Sequence, residues 1–345
     1  MRWLDLKKKP PAGFAAIAMP RGPLLRLLAM VLPFALWGTA MAAMKPLLSG
    51  ASPLQVATLR LLPAGAVVLL AALALGRRLR VDPADRGWLV AFALVDGSLF
   101  QGLLTRGLGQ TGAGLGSVLI DSQPLLVALL ARSLFGEAIN PVGWVGLMLG
   151  LAGILCLGLP APVLRHWWLE GPAALGLPVW SHGELWMLAA AAAMAVGTVL
   201  SRYASRHSDP VAITGWHMLI GALPLLAGVL LQGSALTPQP VPLWPDWDGI
   251  QWLLAAYATL LGSALAYGLF FWFARSGDLT GFTALTFLTP VFALLCGVLL
   301  LGEGLRPLQW LGAALALGSV LLINRRQVLW ELEQRILAQG KEASR

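Results

Sequence analysis

The chain has 345 residues, 58% of them apolar and 12% charged, with a mean hydropathy of +0.76. A soluble domain carries about 25% charged residues, so the composition excludes one and points to a protein that crosses a membrane many times. The formal net charge of +8 then reports topology and anionic lipid contact, not nucleic acid, because the basic residues cluster at the ends of apolar runs.

Residues 1–23 hold Lys7, Lys8, Lys9 and Arg21 among prolines and read as a cytoplasmic tail. Ala40, Met41 and Ala42 imitate a signal-peptidase site, but the preceding segment is too long and many spans follow. Windows of about 20 apolar residues predict ten helices, at 24–44, 54–75, 87–104, 113–135, 141–159, 183–203, 211–231, 249–274, 279–301 and 307–323. The chain divides into a first five-helix unit (24–159), an extracytoplasmic loop (160–182), a second five-helix unit (183–324) and a cytoplasmic amphipathic tail (325–345). With both termini in the cytoplasm, 19 Lys and Arg fall inside and Lys45, Arg106, Arg165 and Arg306 outside; Arg60, within a helix, completes the 24. That bias satisfies the positive-inside rule. Trp167, Trp168, Trp180, Trp244 and Trp247 in the outer loops are expected to anchor at the headgroup level, with a lid as the alternative. Cys156 and Cys296 lie in separate apolar runs, and His166, His182, His207 and His217 show no ligand spacing, so no metal and no cofactor is expected.

The strongest pattern is a repeat. Pro124, Gly136, Glu137, Pro141, Trp144, Gly146 and Gly150 recur as Pro290, Gly302, Glu303, Pro307, Trp310, Gly312 and Ala316, each 166 positions on. Gly38-Thr39 matches Gly197-Thr198, Pro53 and Arg60 match Pro210 and His217, and Trp88 matches Trp252. Five helices is an odd number, so the second copy enters the membrane from the opposite side. Inverted repeats of this kind mark secondary transporters, with the substrate bound near the midplane between the halves. Each copy predicts a proline-kinked helix, a tight Gly-Glu turn whose Glu is a solvated charge beyond a helix C-cap, and a Pro-started helix. Gly112/Gly116 and Gly146/Gly150 predict close helix approach.

Ionisable groups at membrane depth are costly and by default functional. Asp96 falls midway along helix three, Asp121 in helix four one turn before Pro124, and Arg60 towards the outer end of helix two. Three readings compete: Asp121 or Asp96 as a coupling carboxylate or amine ligand, Arg60 paired with Asp96 as a structural ion pair, or neutral acids hydrogen-bonded in the bundle. His217 reads as a packing histidine. Gln101, Ser117, Ser122, Gln123, Thr283, Thr286 and Thr289 add hydrogen-bonding capacity, while Trp37 and Tyr267 offer rings to a planar substrate.

These residues together resemble the EamA-type transporters of the drug/metabolite transporter superfamily. The resemblance lies in Trp37-Gly38, Arg60, Pro124 with Gly136-Glu137 and Gly146, and the second copy at Pro290, Gly302-Glu303 and Gly312, and it spans 24–323. It implies an all-α fold of ten helices in two inverted five-helix repeats, exporting or exchanging a small metabolite such as an amino acid or nucleobase. The implied central cavity is lined mainly by helices one, three, four, six, eight and nine. Asp121-Ser122-Gln123 departs from the family, which usually carries small or apolar residues there.

The expected function is alternating-access transport in the inner (plasma) membrane, with proton coupling as one option. Its expected partners are the lipid bilayer and a small-molecule substrate, and a homodimer is a further option. No Gly-x-x-x-x-Gly-Lys-Ser/Thr is present for a primary pump. The alternatives are an intramembrane aspartyl hydrolase using Asp96 and Asp121, whose usual Tyr-Asp and Gly-x-Gly-Asp contexts are missing, and a non-transporting scaffold whose polar residues would scatter instead of converging.

Overall fold

The structure, a computed structural model, describes residues 23–111, 116, 119–158, 182–232, 242, 244–275, 277–301 and 307–343. The expectations for residues 1–22, Gly112, Ser117, Trp167, Trp168, Trp180, Gly302 and Glu303, and for the side chain of Cys296, lie outside the described residues.

The protein is a membrane protein, and its described residues form ten principal helices and no strand. They are α1 (Pro23–Met44), α2 (Pro53–Ala74), α3 (Arg86–Gln110), α4 (Gln123–Phe135) and α5 (Pro141–Gly158). The second half comprises α6 (His182–Ala204), α7 (Pro210–Gln232), α8 (Gly249–Ala274), α9 (Leu279–Thr283, continued by Ala284–Leu288 and Thr289–Leu301) and α10 (Pro307–Ala343). By length and composition α1, α2, α3, α6, α7, α8 and α10 can each cross a membrane, and α4, α5 and α9 contain shorter apolar helices. Local chemistry sets several ends. Ser52 with Gln55, and Asp248 with Gln251, form capping boxes at the starts of α2 and α8, each satisfying backbone donors a helix start leaves free. Gly136, at φ +66°, ends α4, and the Glu137 N–H reaches back to the Ala131 carbonyl, as a left-handed C-terminal residue allows.

Contacts between helices follow a two-fold pattern. α2 packs on α7 and α5 on α10, which are repeat mates, and α1 against α9 mirrors α6 against α4. Glycine makes the closest of these approaches. A Cβ on Gly153 in α5 would fall 2.8 Å from the Ala316 nitrogen and 2.9 Å from the Gly312 carbonyl oxygen of α10. One on Gly97 in α3 would fall 2.8 Å from the Gly221 Cα in α7. The irregularities also recur in both halves. α3 widens to a π-helix over Ala93–Phe100 and α8 over Leu260–Leu265. α4 is preceded by a turn at Asp121-Ser122, and α9 tightens to a 3-10 helix over Ala284–Leu288. Both breaks fall just before Pro124 and Pro290, where the missing N–H frees backbone groups.

Several expectations are corrected. The proline kink in α4 is a break in the helix. α3 runs past residue 104 to Gln110, so Arg106 is helical and its guanidinium lies 4.8 Å from the centre of the Trp186 ring. Lys45 covers the end of α3 by donating to the carbonyls of Leu108 and Thr111 at 2.6 and 2.8 Å. The tail beyond residue 324 is no separate helix: α10 continues for 37 residues, because neither proline nor glycine interrupts it between Ile323 and Gly340. At 1.5 Å per residue it is about 55 Å long, well beyond the roughly 30 Å of a bilayer core. Trp247 does not anchor at the surface; it is buried, and its Nε1 donates to the Leu47 carbonyl at 3.1 Å.

Glu137 is not a solvated charge. Its Oε1 accepts from the Leu279 N–H at 2.9 Å, and its Oε2 accepts from the N–H and Oγ1 of Thr280 at 3.1 and 2.9 Å. A carboxylate from the end of α4 thus caps the start of α9, where the helix dipole favours negative charge. Arg202 lies 3.4 Å from Glu137 and donates to the Ala274 and Gly277 carbonyls at 2.7 Å each. Around this cap the same end is tied by Arg77 to Asp209 at 2.7 Å, His207 to Asp85 at 2.9 Å, and Arg326 to Asp278 at 2.7 and 2.9 Å. These ties close the end of the bundle that carries the arginines, here termed the basic end.

Candidate substrate site

The two helix breaks, the widened turn of α8 and the middle of α1 converge on one cavity inside the bundle. Its lining is contributed by α1 (Trp37, Ala40, Met41, Met44), α2 (Arg60), α3 (Phe100, Leu104), the α4 break (Ile120, Asp121, Gln123), α6 (Met194), α8 (Gly262, Tyr267) and the α9 break (Thr286, Thr289). Of the residues singled out in the sequence, Trp37, Arg60, Asp121, Gln123, Tyr267, Thr286 and Thr289 meet here. Helices one, three, four, six, eight and nine all contribute, with Arg60 added from helix two.

Five polar side-chain atoms at this cavity, Trp37 Nε1, Arg60 Nε, Gln123 Oε1, Thr286 Oγ1 and Thr289 Oγ1, are buried without a hydrogen-bond partner among the described residues. Buried polar groups are nearly always paired, and each exception calls for an explanation. Four of the five are donors or hydroxyls, and they share the cavity with the Asp121 carboxyl. The remaining wall is apolar and aromatic: Trp37 packs against Tyr267 at 5.0 Å and Phe270 at 4.9 Å between ring centroids. The volume open to water is about 40 Å³, room for about three or four waters at roughly 10–15 Å³ each. A metabolite needs more, so the site is contracted in this conformation.

The other candidates take different places. Gln101 lies behind the cavity wall as a bridge: its Oε1 accepts from Arg60, and its Nε2 donates to the Tyr267 hydroxyl at 3.0 Å. Arg60 also points a guanidinium nitrogen at the Met44 sulfur. Arg60 therefore does not pair with Asp96. Asp96 pairs instead with His217, the repeat mate of Arg60, at 3.1 Å, and both are fully buried outside the cavity lining. Ser122 bonds back to the Leu119 carbonyl at 2.7 Å and is absent from the lining. Pro124, Gly136 and Glu137 shape α4, and Pro290 enters the last segment of α9. Thr283 donates to the Leu279 carbonyl within α9. The sequence reading missed the Glu137 cap and the His217–Asp96 contact; both cross between the halves, where spacing along one helix gives no signal.

Comparison with known proteins agrees with this architecture. The EamA-like transporter family matches residues 24–159 and 181–325. A protein named uncharacterized transporter sll0355, from Synechocystis, is 52% identical over 305 residues, covering 88% of this chain and 90% of that one. The WAT1-related protein At3g02690, chloroplastic, from Arabidopsis thaliana is 44% identical, covering 88% and 70%. The uncharacterized inner membrane transporter YedA of Escherichia coli K12 is 26% identical, covering 90% and 94%. A solved crystal structure at 21% identity shares the fold, with a TM-score of 0.66 over 87% of this chain and 97% of the other. Broken helices meeting at a polar cavity, two-fold helix packing and these matches together establish that the chain belongs to the EamA-like transporter family, whose members are membrane transporters.

Proposed function

We propose that the protein is a secondary carrier that binds a small polar metabolite in the cavity between its two five-helix halves and moves it by alternating access. The observation that carries this reading is the convergence of five unpartnered polar atoms on the two broken helices. Discontinuous helices at the midplane are where transporters of inverted-repeat design bind substrate. Donors from Trp37, Arg60, Thr286 and Thr289 suit an anionic or carbonyl group, Asp121 suits an amine or hydroxyl, and Trp37 and Tyr267 suit an apolar or planar body. An amino acid or a nucleobase has that combination.

In this reading the closed basic end faces the cytoplasm in an inner (plasma) membrane, with both chain termini on that side, as the distribution of Lys and Arg favours. Opening towards the cytoplasm then separates α4 from α9 and breaks the Glu137 cap. The hydrolase alternative loses support because Asp96 is engaged by His217 while Asp121 faces the cavity, so the two carboxyls do not act as a dyad.

A thermal-stabilisation screen of purified protein against amino acids, nucleobases and nucleosides tests the reading, since a ligand that binds the folded state raises its apparent stability. A stabilising compound should exchange across proteoliposomes, and Asp121→Asn should weaken its binding. Binding and exchange both unaffected by Asp121→Asn and Thr289→Val would remove the cavity from the pathway.

A further inference from the structure

The contact between Asp96 and His217 lets its protons be counted from geometry alone. His217 Nδ1 lies 2.6 Å from the Thr214 carbonyl oxygen, and a carbonyl only accepts. Nδ1 therefore carries hydrogen. On the other side of the ring, Nε2 lies 3.1 Å from Asp96 Oδ2. With a neutral ring, Nε2 is a bare lone pair and Asp96 must supply the proton as a carboxylic acid. With an imidazolium ring, Nε2 donates to a carboxylate. In both forms one proton lies between the two residues and the pair carries no net charge. Removing it leaves an ionised carboxylate facing a lone pair where water has no access, a state that burial makes costly.

We propose that Asp96 and His217 form a proton-binding site that holds one exchangeable proton, occluded in this conformation, and that this proton is the coupling ion of the carrier. The proposal deepens the carrier reading above and its second half rests on it. Asp96 lies in the π-helical stretch of α3, an irregularity that recurs at functional sites, and its Oδ1 has no hydrogen-bond partner among the described residues. The imidazole stacks on Phe92 at 4.1 Å and meets the edge of Phe271 at 5.3 Å. α6 closes the third side with backbone: a Cβ on Gly197 would fall 2.6 Å from Asp96 Oδ1. α3 belongs to one half and α7 to the other, so the motion that opens the carrier also opens the contact to water.

The surrounding charges link the pair to the substrate cavity. α6 presents no ionisable group at Gly197, and α7 contributes only His217. From α8 comes Tyr267, whose ring lies 5.8 Å from that of Phe271, the same ring whose edge the imidazole meets, and from α2 comes Arg60, joined to Tyr267 through Gln101. Arg60 and Tyr267 both line the cavity. A substrate that engages them alters the field at the proton, and the proton alters theirs.

Two measurements test this. Solid-state NMR of protein carrying isotope-labelled histidine, with His217 assigned by the signal lost in His217→Gln, should show hydrogen on Nδ1. It should be accompanied by hydrogen on Nε2 or by an Asp96 carboxylic-acid band in the infrared difference against Asp96→Asn. A neutral ring protonated only at Nε2, beside an ionised Asp96, overturns the proposal. In proteoliposomes, using a compound found in the stabilisation screen, the ratio of accumulation driven by a pH gradient to substrate-for-substrate exchange should fall about tenfold or more in Asp96→Asn. His217→Gln serves as the second variant should Asp96→Asn not fold. An unchanged ratio overturns the coupling role, as does a wild-type carrier that exchanges substrate and ignores the gradient. Wild-type protein that exchanges none of the stabilising compounds counts against the carrier reading itself, while the NMR result still decides the proton site.

Discussion

Replacing Glu137 by alanine should both weaken the fold and open its basic end. The carboxylate accepts three hydrogen bonds from the first residues of α9 at 2.9–3.1 Å and lies 3.4 Å from Arg202, with its side chain 14% exposed. Hydrogen bonds to a charged group contribute about 1.5–3 kcal/mol each when protected. Water partly replaces them at the end of a helix, so the three together are expected to contribute about 2–4 kcal/mol. Every 1.4 kcal/mol is tenfold in an equilibrium, so the loss corresponds to roughly thirtyfold or more in the balance between closed and open basic end. The assay places a cysteine at Met194 in the cavity, with Cys156 and Cys296 replaced by serine, and measures alkylation by an impermeant maleimide on vesicles presenting the basic end. Glu137→Ala should raise the rate about thirtyfold and lower the unfolding temperature in detergent. Glu137→Gln keeps one acceptor and loses the charge, and should fall between. A Glu137→Ala protein with wild-type alkylation and wild-type melting would refute the reasoning, because the cap would then hold nothing shut.

Asp121→Asn should abolish or uncouple transport while membrane insertion, followed by monodisperse elution, stays intact; wild-type exchange in proteoliposomes would contradict this. Gly153→Val should destabilise by about 1–3 kcal/mol, the usual range for overpacking, because its Cβ has no room against Ala316 and Gly312; an unchanged unfolding temperature would show that α5 and α10 can part freely. Burial pushes the Asp278 carboxyl up, but the hydrogen bonds and charge of Arg326 outweigh it and hold the group below the usual carboxylate range. A depressed folded-state value stabilises fully above the unfolded carboxylate range, around pH 4, and the contribution fades as pH falls through the folded value. Arg326→Ala should therefore cost stability at neutral pH and shrink the acid-side loss. Asp278 is 44% exposed, so screening limits the carboxylate's share to about 1 kcal/mol or less. A variant whose acid unfolding curve overlays that of the wild type would argue against the pair.

Periodicity and hydropathy reveal how deep a residue sits along a helix, and much of the fold was legible at that level. The apolar windows predicted ten helices and came within a turn of most helix ends, and the doubled Pro, Gly-Glu and Trp pattern predicted the repeat. Direction around the helix was not legible. Charge alone allowed Arg60 to pair with Asp96 as one of three readings, yet Arg60 turns to Gln101 and Asp96 turns across to α7. Glu137 follows a glycine that ends its helix, which by local rules is where a solvated charge belongs. Only the placement of α9 against α4 makes it a cap. The polar cluster was easier to read because Asp121, Gln123, Thr286 and Thr289 all adjoin prolines that mark broken helices. Ser122 shares that neighbourhood and turns back on its own backbone, since a hydroxyl one position away points elsewhere.

The widened turns of α3 and α8 work as a phase shift. A π-turn holds one residue more than an α-turn, so every later side chain is rotated by about 100° relative to an uninterrupted helix with 3.6 residues per turn. Gln101 and Tyr267 both come after such a turn, and the hydrogen bond that joins them beside Arg60 depends on those extra residues. Two helices that point lipid-facing residues outwards over one stretch thereby present polar ones inwards over the next, with no proline in either.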